Sequence, residues 1–143
     1  MATTGKAFTA GGTIRRARFV KLSAVANNTV LEADAGERIW GISQMGGRVA
    51  PIPSVTDNPP NAAITGEQVG VYFPGEMTLL EIGSGGCEAG DYLKSDGDGK
   101  GVALAETSGL KEEVGAIALE TALEGALASV QVWRTTVTTE TTS

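Results

Sequence analysis

The chain is cut at short intervals by turn-forming residues, and this punctuation restricts it to short extended elements. Asn27-Asn28, Asp34-Ala35-Gly36, Gly46-Gly47, Phe73-Pro74-Gly75, Gly83 to Gly86 and Asp96-Gly97-Asp98-Gly99 break the sequence before most apolar runs reach helical length. Gly, Asn and Asp adopt the backbone angles that reverse a chain, and Pro cannot continue a ladder, so each cluster ends an element. The runs between them (Thr13–Leu22, Thr29–Glu32, Arg38–Gln44, Gly66–Tyr72, Met77–Ile82, Asp91–Ser95, Val102–Ala105 and Ser129–Thr135) are short and carry loose apolar alternation, which reads as strands. Gly66–Tyr72 with Met77–Ile82, and Asp91–Ser95 with Val102–Ala105, are predicted hairpins; the Asp-Gly turn of the second is the clearest.

Leu110–Ala128 supports two readings. Leu110, Val114, Ile117 and Ala118 have helical spacing and Ala and Glu favour helix, but Gly115 and Gly125 oppose it, and Val114–Glu120 suits a buried strand. Strand is preferred. The predicted fold class is therefore all-β, with at most one short helix. It is one domain, with residues 1–12 as an extended N-terminal arm, 13–135 as the β-rich body and 136–143 as a flexible Thr-rich tail. Arg48–Thr65, with Pro51, Pro53, Pro59 and Pro60, reads as a long loop.

Composition narrows the function. One domain of 143 residues with only 41% hydrophobic and 5% aromatic residues builds a thin core, so part of the stability is expected from neighbours through self-association or docking. A net charge of −6 disfavours broad contact with nucleic acid or an anionic membrane. No apolar run approaches the ~20 residues a membrane helix needs, and Met1–Ala10 lacks the layout of a signal peptide. Cys87, alone, reads as a small packed residue of a chain made in a reducing cytoplasm.

The absence of histidine removes the commonest general base, the commonest zinc ligand and the Ser-His and Cys-His nucleophile pairs. Carboxylates remain, and Asp91, Asp96 and Asp98 define the enzyme alternative, a metal- or carboxylate-dependent hydrolase. A calcium loop starting at Asp96 fails, because Lys100 and Thr107 stand at its fifth and twelfth positions. Gly83–Gly86 and Gly97–Gly101 match no phosphate-binding fingerprint. The expectation is a non-enzymatic protein without cofactor or metal.

Two groups of residues suggest contacts. Arg15, Arg16 and Arg18, with Lys21, are either a solvated strand face or a docking patch for an acidic protein surface. Trp40, Tyr72 and Trp133 are either core anchors or part of a subunit interface, where aromatics are enriched. A rival reading places Trp40, Tyr72 and the Pro-rich loop around a shallow carbohydrate- or surface-binding site of a fibre or adhesin module.

The order of motifs resembles one family. Gly11–Ile14 leading into Arg18–Leu22, then Ile39–Ser43, Gly66–Val69, Ala89–Leu93, Ser95–Lys100, and Val114–Glu120 before Val130–Val132, is similar to phage capsid cement (head decoration) proteins. The resemblance runs through most of residues 11–132. It implies a small β-barrel or β-tulip-like module on the outer surface of a virion capsid, made in the host cytoplasm. It also implies that the module binds the major capsid protein as a homo-oligomer, with trimer favoured and dimer possible, and ties neighbouring capsid subunits together. Lys6 and Phe8 of the arm and Arg15, Arg16 and Arg18 are then the expected capsid contacts, and Trp40, Tyr72 and Trp133 the expected oligomer interface.

Overall fold

The structure, a computed structural model, describes residues 6–44, 61–104 and 111–138. Among these it holds twelve strands and no helix: β1 (Lys6–Ala10), β2 (Ile14–Arg15), β3 (Phe19–Leu22), β4 (Thr29–Glu32), β5 (Gly41–Ser43), β6 (Asn61–Ala63), β7 (Gln68–Tyr72), β8 (Met77–Glu81), β9 (Tyr92–Ser95), β10 (Gly101–Ala103), β11 (Lys111–Ala118) and β12 (Leu127–Thr138). The all-β prediction holds, and Lys111–Ala118 is a strand.

β1, β4, β3, β5 and β7 form a closed barrel, β10-β9-β11-β12-β8 form a second sheet, and β2 pairs with β6. Closure depends on β1, which pairs in parallel with β4 (Thr9 opposite Thr29) and antiparallel with β7 (Phe8 opposite Val69). Alternation explains the two cores. In β3, Val20 points into the barrel with Phe8, Val30, Val69 and Val71, whereas Phe19 points outward into a larger cluster with Ile39, Ile42, Leu80, Leu93 and Val130. Both are fully buried. The barrel wall is thus apolar on both sides and serves as the floor on which the second sheet packs.

Two glycines permit the close approaches. In β5, a Cβ on Gly41 would run into the Tyr72 carbonyl of the paired strand β7. In β11 the register slips between Val114 and Ala116, and a Cβ on Gly115 would stand 2.6 Å from both Ile39 Cδ1 and Phe19 Cε1. A bulge centred on Gly lets the second sheet bend onto the barrel at this point.

Several boundaries depart from expectation. Lys6–Ala10 is a barrel strand, not an arm: Phe8 is 5% exposed and Ala10 1%. The run Thr13–Leu22 breaks at Ala17, which takes a left-handed φ of 53°. β7 and β8 adjoin in sequence but do not pair; the Phe73-Pro74-Gly75 turn carries the chain from the barrel to the second sheet, where β8 runs beside β12. The predicted Asp91–Ala105 hairpin is present, with Lys94 opposite Val102. Residues 136–138 extend β12 rather than starting a tail, pairing with Lys111–Glu113. Of the Pro-rich loop, 61–63 is a strand beside β2; residues 48–60, like 1–5 of the arm and 139–143 of the tail, lie outside the described residues.

Candidate functional site

The arginine cluster is used internally. The Arg15 amide donates to Glu32 Oε2 at 2.6 Å, and its guanidinium donates to Oε2 and Oε1 of the same carboxylate at 3.1 and 2.9 Å. This paired fork, with Asp98 3.6 Å away, raises the Arg15 pKa above its already high ordinary value. Arg18 is 4% exposed; it donates to the Asp98 carbonyl at 2.8 Å and meets Glu81 at 3.2 Å. Glu81 also lies 3.5 Å from Lys100. Ser43 completes the knot, accepting from the Arg18 amide and donating to the Arg15 carbonyl. Arg16 is half-buried, with a shielded Nε that has no hydrogen-bond partner among the described residues. Arg15 and Arg18 therefore fasten β2 and β3 to the β9–β10 turn instead of presenting charge outward. This corrects the reading of the run as a basic docking face.

The other predicted contact residues are scattered. Lys6 sits in β1 opposite Val71, and Phe8 is inside the barrel. Trp40 caps that barrel with edge-to-face contacts to Phe8 at 6.3 Å and Phe73 at 6.0 Å, and the Arg134 guanidinium lies 4.3 Å over its ring. Its Nε1 is shielded and has no hydrogen-bond partner among the described residues. Tyr72 packs against the larger core on the far side of the barrel wall. Of the three predicted interface aromatics, Trp133, 47% exposed, is the one that faces outward. The three aromatics do not share a surface.

Nor do the carboxylates converge. Asp96 Oδ1 accepts from the Asp98 and Lys100 amides at 2.8 and 3.0 Å, forming its own turn, and Asp91 Oδ2 accepts from the Glu88 amide at 2.9 Å in a different one. Among the described residues, no group of three or more Asp, Glu or Cys side chains could hold a metal. Cys87 is buried in the larger core, and that desolvation pushes its thiol pKa up.

Among the described residues, one concavity is an open cleft of about 300 Å³ lined by Lys21, Leu22, Glu37, Arg38, Ile39 and Trp40. Lys21 and Glu37 pair across it at 2.8 Å, and the hydrogen bond from Lys21 holds the Glu37 carboxyl below its ordinary range. Tyr72 is not among its lining residues, so the predicted carbohydrate site is not assembled there.

Sequence reasoning missed the outward face of the second sheet. The register aligns Tyr92 of β9, Ile117 of β11, Gln131 of β12 and Met77 of β8 in one row. Leu79 lies opposite Ser129 in the next row, and the Leu119 amide donates to the Ser129 carbonyl. Met77, Trp133, Tyr92 and Leu119 are 69%, 47%, 45% and 44% exposed. An available signal was the near-continuous apolar character of Met77–Leu80, since a strand covered on both faces loses its polar alternation.

No known family profile and no curated protein sequence matches the chain. Among solved structures, the chain is similar to the N base of the head fibre gp8.5 of bacteriophage phi29. The likeness has a TM-score of 0.62 at 16% identity and covers 92% of this chain and 95% of that one. At that identity the two share a fold.

Proposed function

We propose that this chain is a non-enzymatic structural component of a phage head. On this reading it binds the outside of the assembled shell as a homo-oligomer, with a trimer expected, and ties neighbouring major capsid subunits together. The observation that carries the reading is the fold shared, over nearly the whole of both chains, with the base of a phage head fibre. The ordered motifs between residues 11 and 132 that resemble capsid cement proteins support it independently. So does the spending of the described polar groups on internal fastening: Arg15, Arg18, Asp91 and Asp96 brace turns and strands. Oligomeric attachment makes several modest contacts act together, so occupancy exceeds what one contact would hold.

The test is co-sedimentation of the purified chain with assembled shells that lack it, followed by particle reconstruction. The expected result is saturable binding and density repeated at symmetry-related positions outside the shell. A chain left in the supernatant with every assembled form of the shell would end this reading.

A further inference from the structure

We propose that the cleft between the end of β3 and residues 37–40 docks an extended, acidic polypeptide segment of another protein, which adds a short strand to the open backbone edge at Leu22 and sets a carboxylate against Arg38. The inference stands apart from the proposed function, because it follows from where the barrel ladder stops and from the charges around the gap.

β3 pairs with β5 through Phe19–Ile42 and Val20–Gly41, and the Trp40 amide donates to the Val20 carbonyl at 2.7 Å. Backbone groups alternate sides along a strand, so the amide and carbonyl of Leu22 face the same way as those of Val20. The next residue turns back to β4, the Ser23 amide donating to the Thr29 carbonyl. On the β5 side the ladder ends at Trp40. Among the described residues, no hydrogen bond is made by the Leu22 backbone on that side, nor by the amides and carbonyls of Arg38 and Ile39. The cleft occupies this gap, with buried Ile39 and half-buried Trp40 as its apolar floor and exposed Leu22 beside them. Open amides and carbonyls next to apolar side chains match an extended peptide, whose main chain supplies the bonds and whose alternate side chains enter the pocket. At about 300 Å³ the cleft stands at the lower end of the range of ligand pockets, and it admits a side chain with its backbone rather than a folded surface.

Charge gives the sign of the segment. Lys21 and Glu37, inside the cleft, neutralise one another at 2.8 Å. Arg38 is held more loosely: its side chain is 86% exposed and its carboxylate contact, Glu113, is 3.7 Å away. Glu113 itself accepts from the Thr136 hydroxyl at 3.1 Å. Arg134 lies over the Trp40 ring and forms no ion pair among the described residues. Arg38 and Ile39 also line a smaller cavity of about 170 Å³ that reaches Arg134, so the two guanidiniums stand along one groove. Two further carboxylates border it. Asp34 is exposed in the turn that leads to Glu37, and Glu76 is turned to the Phe73 amide at 2.6 Å. Asp34 opposes acid at the Lys21–Glu37 end, whereas at the other end a carboxylate meets Arg38 and Arg134. The segment is thereby oriented, with an apolar side chain over Ile39 and Trp40 and an Asp or Glu toward Arg38. A planar guanidinium takes a carboxylate by paired bonds, which favours an acidic segment over a neutral or basic one. Elsewhere the net charge of −6 opposes such a partner, so the attraction is local to this groove.

Selection of a displayed library of random peptides of about six residues, the usual strand length, against the full chain tests the proposal. The expected result is enrichment of sequences that pair an apolar residue with Asp or Glu. In fluorescence anisotropy, exchanging the acid of the best peptide for Lys, or Arg38→Glu in the chain, weakens binding at least about tenfold. The exposed position of Arg38 keeps the far-ultraviolet circular dichroism of the variant unchanged. Should Arg38→Glu unfold, the acid-to-Lys exchange in the peptide makes the same test on the wild type. Binding also slows hydrogen exchange at the Leu22 amide, which a purely electrostatic contact would not do. No enrichment, an enriched set without acid, equal binding to Arg38→Glu, or a Leu22 amide that stays unprotected overturns the proposal. Leu22 protection that grows with chain concentration alone also overturns it, since the occupant is then a second copy, as does saturation by neutral glycans with none by peptides. Shell binding, scored separately, keeps the two ideas apart: a chain that takes acidic peptides but no shell removes the proposed function alone.

Discussion

Replacing Phe8 with Ala separates a barrel strand from an arm. Phe8 is 5% exposed, with Trp40 and Phe73 edge-to-face at 6.3 Å each. Burying a ring of this size and then deleting it costs about 3–5 kcal/mol through lost transfer energy and the cavity left behind. Trp40 and Phe73 are only half-buried at the barrel end, so water and side-chain relaxation reach the site, and the lower part of that range, about 3 kcal/mol, is expected. With an m-value of about 2 kcal/mol/M, the urea midpoint falls by about 1.5 M. A domain of this size loses about 4 °C per kcal/mol, so the melting temperature falls by about 12 °C. Unfolding in urea, followed by fluorescence of the adjacent Trp40, measures it at fixed protomer concentration, because association would otherwise add to the apparent stability. A residue on a loose arm would change stability by less than about 0.5 kcal/mol. A Phe8→Ala shift that small would refute the barrel position of β1 and with it the closure of the sheet.

Arg18→Ala leaves Glu81 shielded with only the longer contact to Lys100, and should cost about 2–4 kcal/mol in urea unfolding; Arg15→Ala, at a pair partly open to water, should cost about 1 kcal/mol or less, and equal costs would contradict the burial difference. Gly115→Ala forces a methyl against Ile39 and Phe19, both fully packed, and should destabilise by about 1–3 kcal/mol, whereas a neutral result would mean that the bulge is not pressed onto the barrel. Cys87 stays a protonated, buried thiol, so at about pH 8 a colorimetric thiol reagent should modify the native chain at least on the order of ten times more slowly than the urea-unfolded chain. The folded pKa of Glu37 lies below its ordinary 4.5, so its pairing with Lys21 contributes stability that is complete above the unfolded value and is lost as pH falls through the folded one. Glu37→Gln should therefore lower stability near neutrality by about 1 kcal/mol or less, this pair being partly exposed, and converge with the wild type at low pH, flattening the acid limb; a variant as stable as the wild type at neutral pH with an unchanged acid limb would contradict the Lys21 contact.

What was legible in the sequence is what local chemistry decides. The β9–β10 hairpin was readable because Asp96, Gly97 and Gly99 set a turn within a few residues, and Asp96 bonds its own neighbours. The strand character of Lys111–Ala118 was readable because Gly115 weakens a helix. What was hidden depends on partners far along the chain. β7 and β8 look like a hairpin across Phe73-Pro74-Gly75, yet β7 closes the barrel with β1 and β8 pairs with β12 some fifty residues on, because Tyr72 and Phe73 belong to different cores. The arginines read as a solvated or docking charge run because their partners Glu32, Glu81 and Asp98 lie 17, 63 and 80 residues away. Residues 6–10 read as an arm because a narrow barrel needs little apolar mass from each strand, and Phe8 with Ala10 is enough.

The aromatic residues show why the candidate surface was the hardest feature to read. Trp40 and Trp133 sit in similar strand contexts, and composition gives no reason to separate them. Strand direction does. Ile39 and Ile42 hold the chain around Trp40 in the larger core, so the indole turns back over the barrel mouth, where Arg134 covers it. In β12, Val130 and Val132 take the inward positions, and Trp133 must point away from them. A one-residue slip of β12 would turn Ser129 and Gln131 inward along with Trp133 and expose Ala128, Val130 and Val132, burying two polar side chains in exchange for three apolar ones. The buried face alone therefore fixes the register of β12, and with it the outward direction of Trp133.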